Sequence, residues 1–168
     1  MLKALKTMQR YAKLFLIEKG KGEAEHMEKL TTKELLVLSV LEQAINEELD
    51  MTTISWDSAG IKHEEETRIF EILEDYGYIA SDDIEEGVYE ITNQGYQYLR
   101  LCEKELEEVK NEAEQSKGNI NIGKLAVKCT MFNLESLIGT VSAISIDFST
   151  LGIFGLVKKI LNAFLKKN

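Results

Sequence analysis

Apolar positions in residues 31–101 are spaced first as in a helix, then in alternation, then as in a helix again, and each change of period marks a new element. Residues 32–49 carry Leu35, Leu36, Val37, Leu38, Val40, Leu41, Ile45 and Leu49, apolar on almost every side of a helix through its first half. A helix of that kind must be covered on more than one face. The pattern therefore predicts that neighbouring helices cover one side and the terminal segments the other. A short second helix is expected around Trp56, followed by a tight turn at Gly60. In a third helix Ile69, Ile72, Leu73 and Tyr76 fall at i, i+3, i+4 and i+7, which predicts one buried stripe ended by Gly77. Tyr78-Ile79-Ala80 and Val88-Tyr89-Glu90-Ile91 read as two short strands around the polar loop 81–87, a hairpin. Thr92 or Asn93 then caps a long helix running to about Gln115.

That long helix places Leu99, Cys102, Leu106, Val109 and Ala113 at spacings of 3, 4, 3 and 4. Such a heptad-like seam calls for a helix partner, within the chain or across a two-fold axis. A boundary follows at 116–121. Ahead of the central stretch, Leu2, Leu5, Met8, Ala12, Phe15 and Leu16 share one side of a helix and Lys3, Lys6, Arg10 and Lys13 another. Gly20-Lys21-Gly22 breaks it, and a Glu-rich linker leads to Lys29.

Behind the boundary, the 22 residues 136–157 contain Asp147 as their one charge, a length that suits a membrane span. A central aspartate costs about 2.5–3.5 kcal/mol in such a span, and the glycines, serines and threonines around it weaken insertion further. Two helices broken near Asp147, with Ser149 capping the second, are expected instead. The final helix sets Phe154, Leu161, Phe164 and Leu165 against Lys158, Lys159, Asn162 and Lys166, and it resembles short cationic membrane-active helical peptides. Packing on a core is its expected role, because lysines near a helix C-terminus suit the macrodipole. A membrane contact through residues 149–168 is the alternative.

Helix, short helix, helix, hairpin and helix in that order resemble the winged helix-turn-helix superfamily, as in MarR-like and PadR-like regulators. SAGIKHEEETRIFEILEDYGYI stands where turn and recognition helix would be, and VYEITNQGYQYL where the second wing strand and following helix would be. The resemblance covers residues 31–101. It implies a mostly α-helical fold with a small β-hairpin wing, extended by N-terminal and C-terminal packing helices. The organisation expected is an amphipathic helix and linker at 1–30, a winged-helix domain with its long helix at 31–117, and an apolar, basic helical segment at 118–168.

Charge changes what that fold implies. The net charge of −9 hides an uneven distribution: +3 over residues 1–30, −16 over 31–118 and +4 over 119–168. The absence of proline and the 44% apolar content suit long helices around a proper core. Cys102 and Cys129 lack a disulfide-framework spacing and are expected as free thiols, and residues 1–18 lack the apolar core of a signal peptide, so a cytoplasmic location is expected.

Chemistry-bearing motifs are sparse. Gly118-Asn119-Ile120-Asn121-Ile122-Gly123-Lys124 fits the letters of a phosphate-binding loop, but Leu125 stands where a magnesium-ligating hydroxyl is required, and a charged helix precedes it in place of a strand. The two histidines, His26 and His63, lie far from either cysteine, and no nucleophile-base pattern appears. No enzyme, cofactor or metal site is expected. Winged helices commonly grip DNA, which requires basic groups against phosphate. Here the recognition-helix positions are Lys62, His63, Glu64, Glu65, Glu66, Thr67, Arg68 and Glu71, and the wing tip is Asp82-Asp83-Ile84-Glu85-Glu86. Both surfaces would repel a duplex. The expected function is therefore that of a non-enzymatic adaptor, a dimer or a subunit of a larger complex. Its candidate contact residues are Lys62, His63, Glu64, Glu65, Thr67, Arg68, Glu71, Asp82, Asp83, Glu85 and Glu86, meeting a basic protein surface. A dimeric DNA-binding regulator is the alternative, disfavoured by charge.

Overall fold

The computed structural model describes residues 27–47, 55–81, 87–116, 121–143 and 152–165. Six α-helices and a two-stranded antiparallel hairpin make up the regular structure of these residues. Helix α1 (Thr32–Glu47) starts on a reciprocal cap: Thr31 N–H donates to the Glu34 carboxylate at 2.8 Å, and Thr31 Oγ1 accepts from Glu34 N at 3.4 Å. Two donors that the helix itself leaves unpaired are satisfied in this way. Leu35, Leu36, Val37, Leu38, Val40, Leu41 and Ala44 are all buried. The cover expected for this all-round apolar helix is present, since it packs against α2 (His63–Asp75), β2 (Tyr89–Ile91), α3 (Asn93–Gln115), α5 (Leu134–Ala143) and α6 (Gly152–Leu165).

The second helix reduces to a single 3-10 turn, Trp56–Ala59, closed by Gly60 at a φ of 72°. Helix α2 follows. Its inward residues are Ile69, Phe70 and Leu73, with Phe70 wedged between the rings of Trp56 and Tyr89. Tyr76, expected on the buried stripe, is instead 36% exposed, and Ile72 is half-buried. The helix has ended by then: Tyr76 is its C-cap, and Gly77 takes a φ of 74°. Gly77 N–H returns to Glu74 O and Tyr78 N–H to Leu73 O, both at 2.9 Å, a left-handed closure that glycine permits and that turns Tyr76 toward solvent.

Strand β1 (Ile79–Ser81) pairs with β2 in the register Ile79 with Ile91, Ala80 with Glu90 and Ser81 with Tyr89. Ile79 and Ile91 are both buried, so their shared side anchors the hairpin to the core. Thr92 then joins hairpin to helix. Its hydroxyl accepts from Gly95 N at 3.1 Å as the N-cap of α3 and donates to Gly77 O at 2.5 Å, and its N–H reaches Tyr78 O at 3.0 Å.

The seam on α3 is buried from end to end: Leu99, Cys102, Leu106, Val109 and Ala113. Its partner lies within the chain. Helix α6 packs along α3, with Ile153, Val157 and Ile160 fully buried at i, i+4 and i+7. Before α6 come the short α4 (Ile122–Ala126), capped by the Asn121 side chain, and α5. Two helices, α5 and α6, thus stand where one membrane-length run was weighed; the Asp147 break and the Ser149 cap lie outside the described residues. Among the described residues no helix is long and apolar enough to cross a membrane.

Two tyrosines tie the chain's entry to this body. Tyr78 donates to Glu28 O at 2.5 Å, and Tyr98 accepts from Leu30 N at 2.9 Å while donating to Met131 O. The rings lie 4.9 Å apart. Tyr98→Phe removes the partner of a buried N–H, whose orphaning costs about 1–3 kcal/mol. A loss of that size in chemical denaturation, with the far-ultraviolet spectrum unchanged, is the expected result; unaltered stability would show that Leu30 N finds water.

Candidate functional site

Among the described residues no group of three His, Cys, Asp or Glu side chains could hold a metal ion. Both cysteines are free and buried, and burial pushes each thiol up, Cys129 to about 11. Thiols held protonated in this way are poor nucleophiles. Of the phosphate-loop letters, Ile122, Gly123 and Lys124 begin helix α4 and Asn121 caps it, its Oδ1 accepting from Lys124 N at 3.3 Å, while 118–120 lie outside the described residues.

The surface left to consider is the outward side of α2. Its amphipathic sequence turns Ile69, Phe70 and Leu73 inward and leaves Lys62, His63, Glu64, Thr67, Arg68, Glu71, Glu74 and Asp75 exposed. Glu64, Arg68, Glu71 and Asp75 succeed one another at i, i+4, i+7 and i+11, one continuous strip along the helix. At about 1.5 Å per residue the strip is roughly 16 Å long.

The acids of α2 divide into those the fold uses and those it leaves open. Glu65 is engaged: Oε1 meets Lys33 Nζ at 2.6 Å and Oε2 accepts from Lys62 N at 3.1 Å, contacts that hold its carboxyl below the ordinary range. Glu65 therefore caps α2 and tethers it to α1. Glu66 stands 3.3 Å from His63 Nδ1. Glu74 accepts from Ser81 Oγ at 2.6 Å and Ser81 N at 3.2 Å, fastening the end of α2 to the hairpin. Thr67 Oγ1 turns back to His63 O at 3.5 Å. Among the described residues, no ion pair engages Glu64, Arg68, Glu71 or Asp75. Asp82, Asp83, Glu85 and Glu86, expected at the tip of the hairpin, lie outside the described residues; Glu90, exposed on β2, is the hairpin acid that can be placed.

On the membrane-face candidates, Lys158 and Lys159 are exposed and Leu161 is half-buried against the core. The side chains of Phe154, Phe164 and Leu165 lie outside the described residues. Sequence reasoning passed over Ile153, Val157 and Ile160, the stripe that α6 buries. Their i, i+4, i+7 spacing was the available signal. It also passed over Glu105 on α3, whose carboxylate accepts from Thr130 Oγ1 at 2.5 Å, Thr130 N at 3.0 Å and Met131 N at 3.1 Å.

An internal ion pair marks where α1 crosses α3. Glu42, 6% exposed, meets Arg100, which also holds Glu103. Burial raises the Glu42 carboxyl above its ordinary 4.5, and Arg100 offsets part of that rise. A carboxyl whose folded pKa exceeds its unfolded one binds more protons when folded, so its contribution disfavours the fold as pH rises from 4.5 through the folded pKa. Glu42→Gln removes this titration. The variant is expected to match or exceed the wild type in stability at pH 7 and to show a flatter profile above pH 4.5, measured by urea denaturation across pH. A steeper loss of stability toward neutral pH in the variant would refute the assignment.

No family model, curated protein or solved structure matches this chain.

Proposed function

We propose that this protein is a non-catalytic winged-helix module that binds a basic protein surface through the outward strip of α2. The winged-helix reading is supported by the order of its elements: helix, 3-10 turn, helix, antiparallel hairpin, helix. The observation that carries the partner class is the open strip itself. Glu64, Glu71 and Asp75 are exposed without ion-pair partners among the described residues, and Arg68 and Lys62 are the bases beside them. A duplex approaching α2 would meet these carboxylates before any surplus of positive charge, and counterion release, the main source of affinity for DNA, would be lost. A basic polypeptide meets the opposite situation. Complementary charge would set its rate of association and its selectivity more than its final affinity.

Pairing of two copies, if it occurs, uses a surface other than the α3 seam, because α6 fills that seam. The partner and any such assembly follow from this reading as proposals. They are tested together by titrating the intact chain at about 150 mM salt, where the Debye length is about 8 Å, with a Lys/Arg-rich 20-residue peptide, a 30-base-pair duplex and anionic vesicles. Saturable binding of the peptide, lost in Glu64→Lys/Glu71→Lys, is the expected outcome. Duplex binding lost on Lys62→Ala or Arg68→Ala would replace it with the DNA-regulator reading. Vesicle binding lost on deletion of residues 149–168 would replace it with the membrane reading.

A further inference from the structure

Cys102 and Cys129 stand 27 positions apart in the chain, one on α3 and the other in the segment between α4 and α5. Side chains on either side of Cys102 grip the residues next to Cys129. Tyr98, Cys102 and Glu105 fall at i, i+4 and i+7, on one face of α3. Tyr98 Oη donates to Met131 O, and the Glu105 carboxylate accepts from Thr130 N at 3.0 Å and Met131 N at 3.1 Å. Thr130 and Met131 directly follow Cys129, so the main chain at that cysteine is held over the turn of α3 that carries Cys102. The Cys102 thiol is in hydrogen-bond contact with the same Tyr98 hydroxyl, and charge on the Cys129 sulfur is felt at Cys102. The two sulfurs therefore lie on one side of α3 within electrostatic reach of each other.

Their access to solvent differs. Cys102 is fully buried, whereas Cys129 is 7% exposed and sits between exposed Lys128 and Thr130. An oxidant thus reaches Cys129 first. Its Sγ points to Leu125 O at 3.7 Å, a weak thiol contact that costs little to give up.

We propose that Cys102 and Cys129 are a thiol pair that closes to an intramolecular disulfide on exposure to a low-molecular-weight disulfide, and that the bond locks the C-terminal segment onto α3. Cys129 Sγ, as the thiolate, attacks one sulfur of the small disulfide; the other leaves as a thiolate and takes up the proton that Cys129 lost. Cys102 Sγ then attacks Cys129 Sγ in the mixed disulfide, and the second small thiolate leaves with the proton from Cys102. Two protein thiols are oxidised to one disulfide, and one small disulfide is reduced to two thiols. Because both protein thiols are held protonated, closure is slow, and the pair answers sustained oxidation. The bond ties α3 to the chain just ahead of α5, which packs on α6.

The test incubates the reduced, intact chain with oxidised glutathione and digests it without reduction. Trypsin cuts after Arg100, Lys104 and Lys128, so the bond joins residues 101–104 to a peptide that begins at Cys129. The expected product is that linked pair from a monomer whose mass is lower by two hydrogens and which retains no glutathione. Closing a loop of this length should move the folding equilibrium in urea toward the native state on the order of a hundredfold, reversed by dithiothreitol. Cys102→Ser should stop at one glutathione on Cys129, and Cys129→Ser should leave Cys102 unmodified. If Cys102→Ser does not fold, the wild-type digest decides alone. A wild type that stops with glutathione on Cys129 and Cys102 free overturns the proposal, as does linkage between two copies. A folded chain whose thiols both stay reduced while the urea-unfolded chain is oxidised overturns it too. An oxidised form no more stable than the reduced one overturns the lock.

Discussion

Replacing Gly95 with alanine should destabilise this protein by about 3 kcal/mol, although alanine is ordinarily about 1 kcal/mol better than glycine inside a helix. Gly95 lies in the first turn of α3, where the helix presses on the hairpin. A Cβ built there would stand 2.2 Å from Tyr78 O and 2.8 Å from Ile91 Cγ2. Neither neighbour can give way cheaply. Tyr78 O already accepts from Thr92 N at 3.0 Å, and Ile91 is 3% exposed and paired across the hairpin with Ile79. The added methyl must lift the strands off α3 or push α3 away from Thr92, breaking the cap at 3.1 Å. For a chain of this size the loss corresponds to a fall in melting temperature of roughly 6–12 °C. Calorimetry on Gly95→Ala beside the wild type measures it. Equal stability would mean that α3 and the hairpin do not meet as described. Gly77→Ala offers a contrast, because its cost comes from a φ of 74° with an open site: the nearest atom to a Cβ there is the Gln94 side chain at 3.7 Å.

The second large effect is expected at the middle of the α3 seam. Leu106 is fully buried at the centre of the seam, which α6 covers. Leu106→Ala removes the side-chain burial and leaves a cavity that two helices can close only in part, an outcome worth about 3–4 kcal/mol in comparable sites. The location makes the result specific. Amide hydrogen exchange should accelerate first in α6, which covers the seam, and in α5, which packs on α6, and last in α2 and the hairpin, whose contacts to α1 are untouched. Uniform acceleration would mean that the C-terminal helices and residues 55–116 open as one cooperative unit.

The candidate surface on α2 was readable in advance to the extent that its residues are polar. Periodicity identifies which side of a helix faces water, and Lys62, His63, Glu64, Thr67, Arg68 and Glu71 are indeed exposed. Periodicity does not reveal which of those groups the fold employs. Glu65 looked like its neighbours in the sequence, yet it is fastened to Lys33, a residue 32 positions away. Glu74 likewise serves Ser81, across a turn whose geometry depends on Gly77. Tyr76 shows the reverse failure. It continues the apolar spacing of α2, but the helix closes at that residue, so the period no longer describes where its ring points.

What the sequence determined by itself is local: the helical period of residues 32–47 and 93–115, the glycine closures at 60 and 77, the Thr92 cap and the two short strands. Each rests on interactions between residues a few positions apart, and those are encoded in order and spacing. The tertiary structure alone decided what fills the α3 seam. A heptad-like stripe states that a helix is required without stating whose, and the answer depended on the packing of α6 along α3, some fifty positions earlier in the chain. Distant apolar surfaces recognise one another by shape and area, which are properties of folded elements and are not written in the spacing of either one.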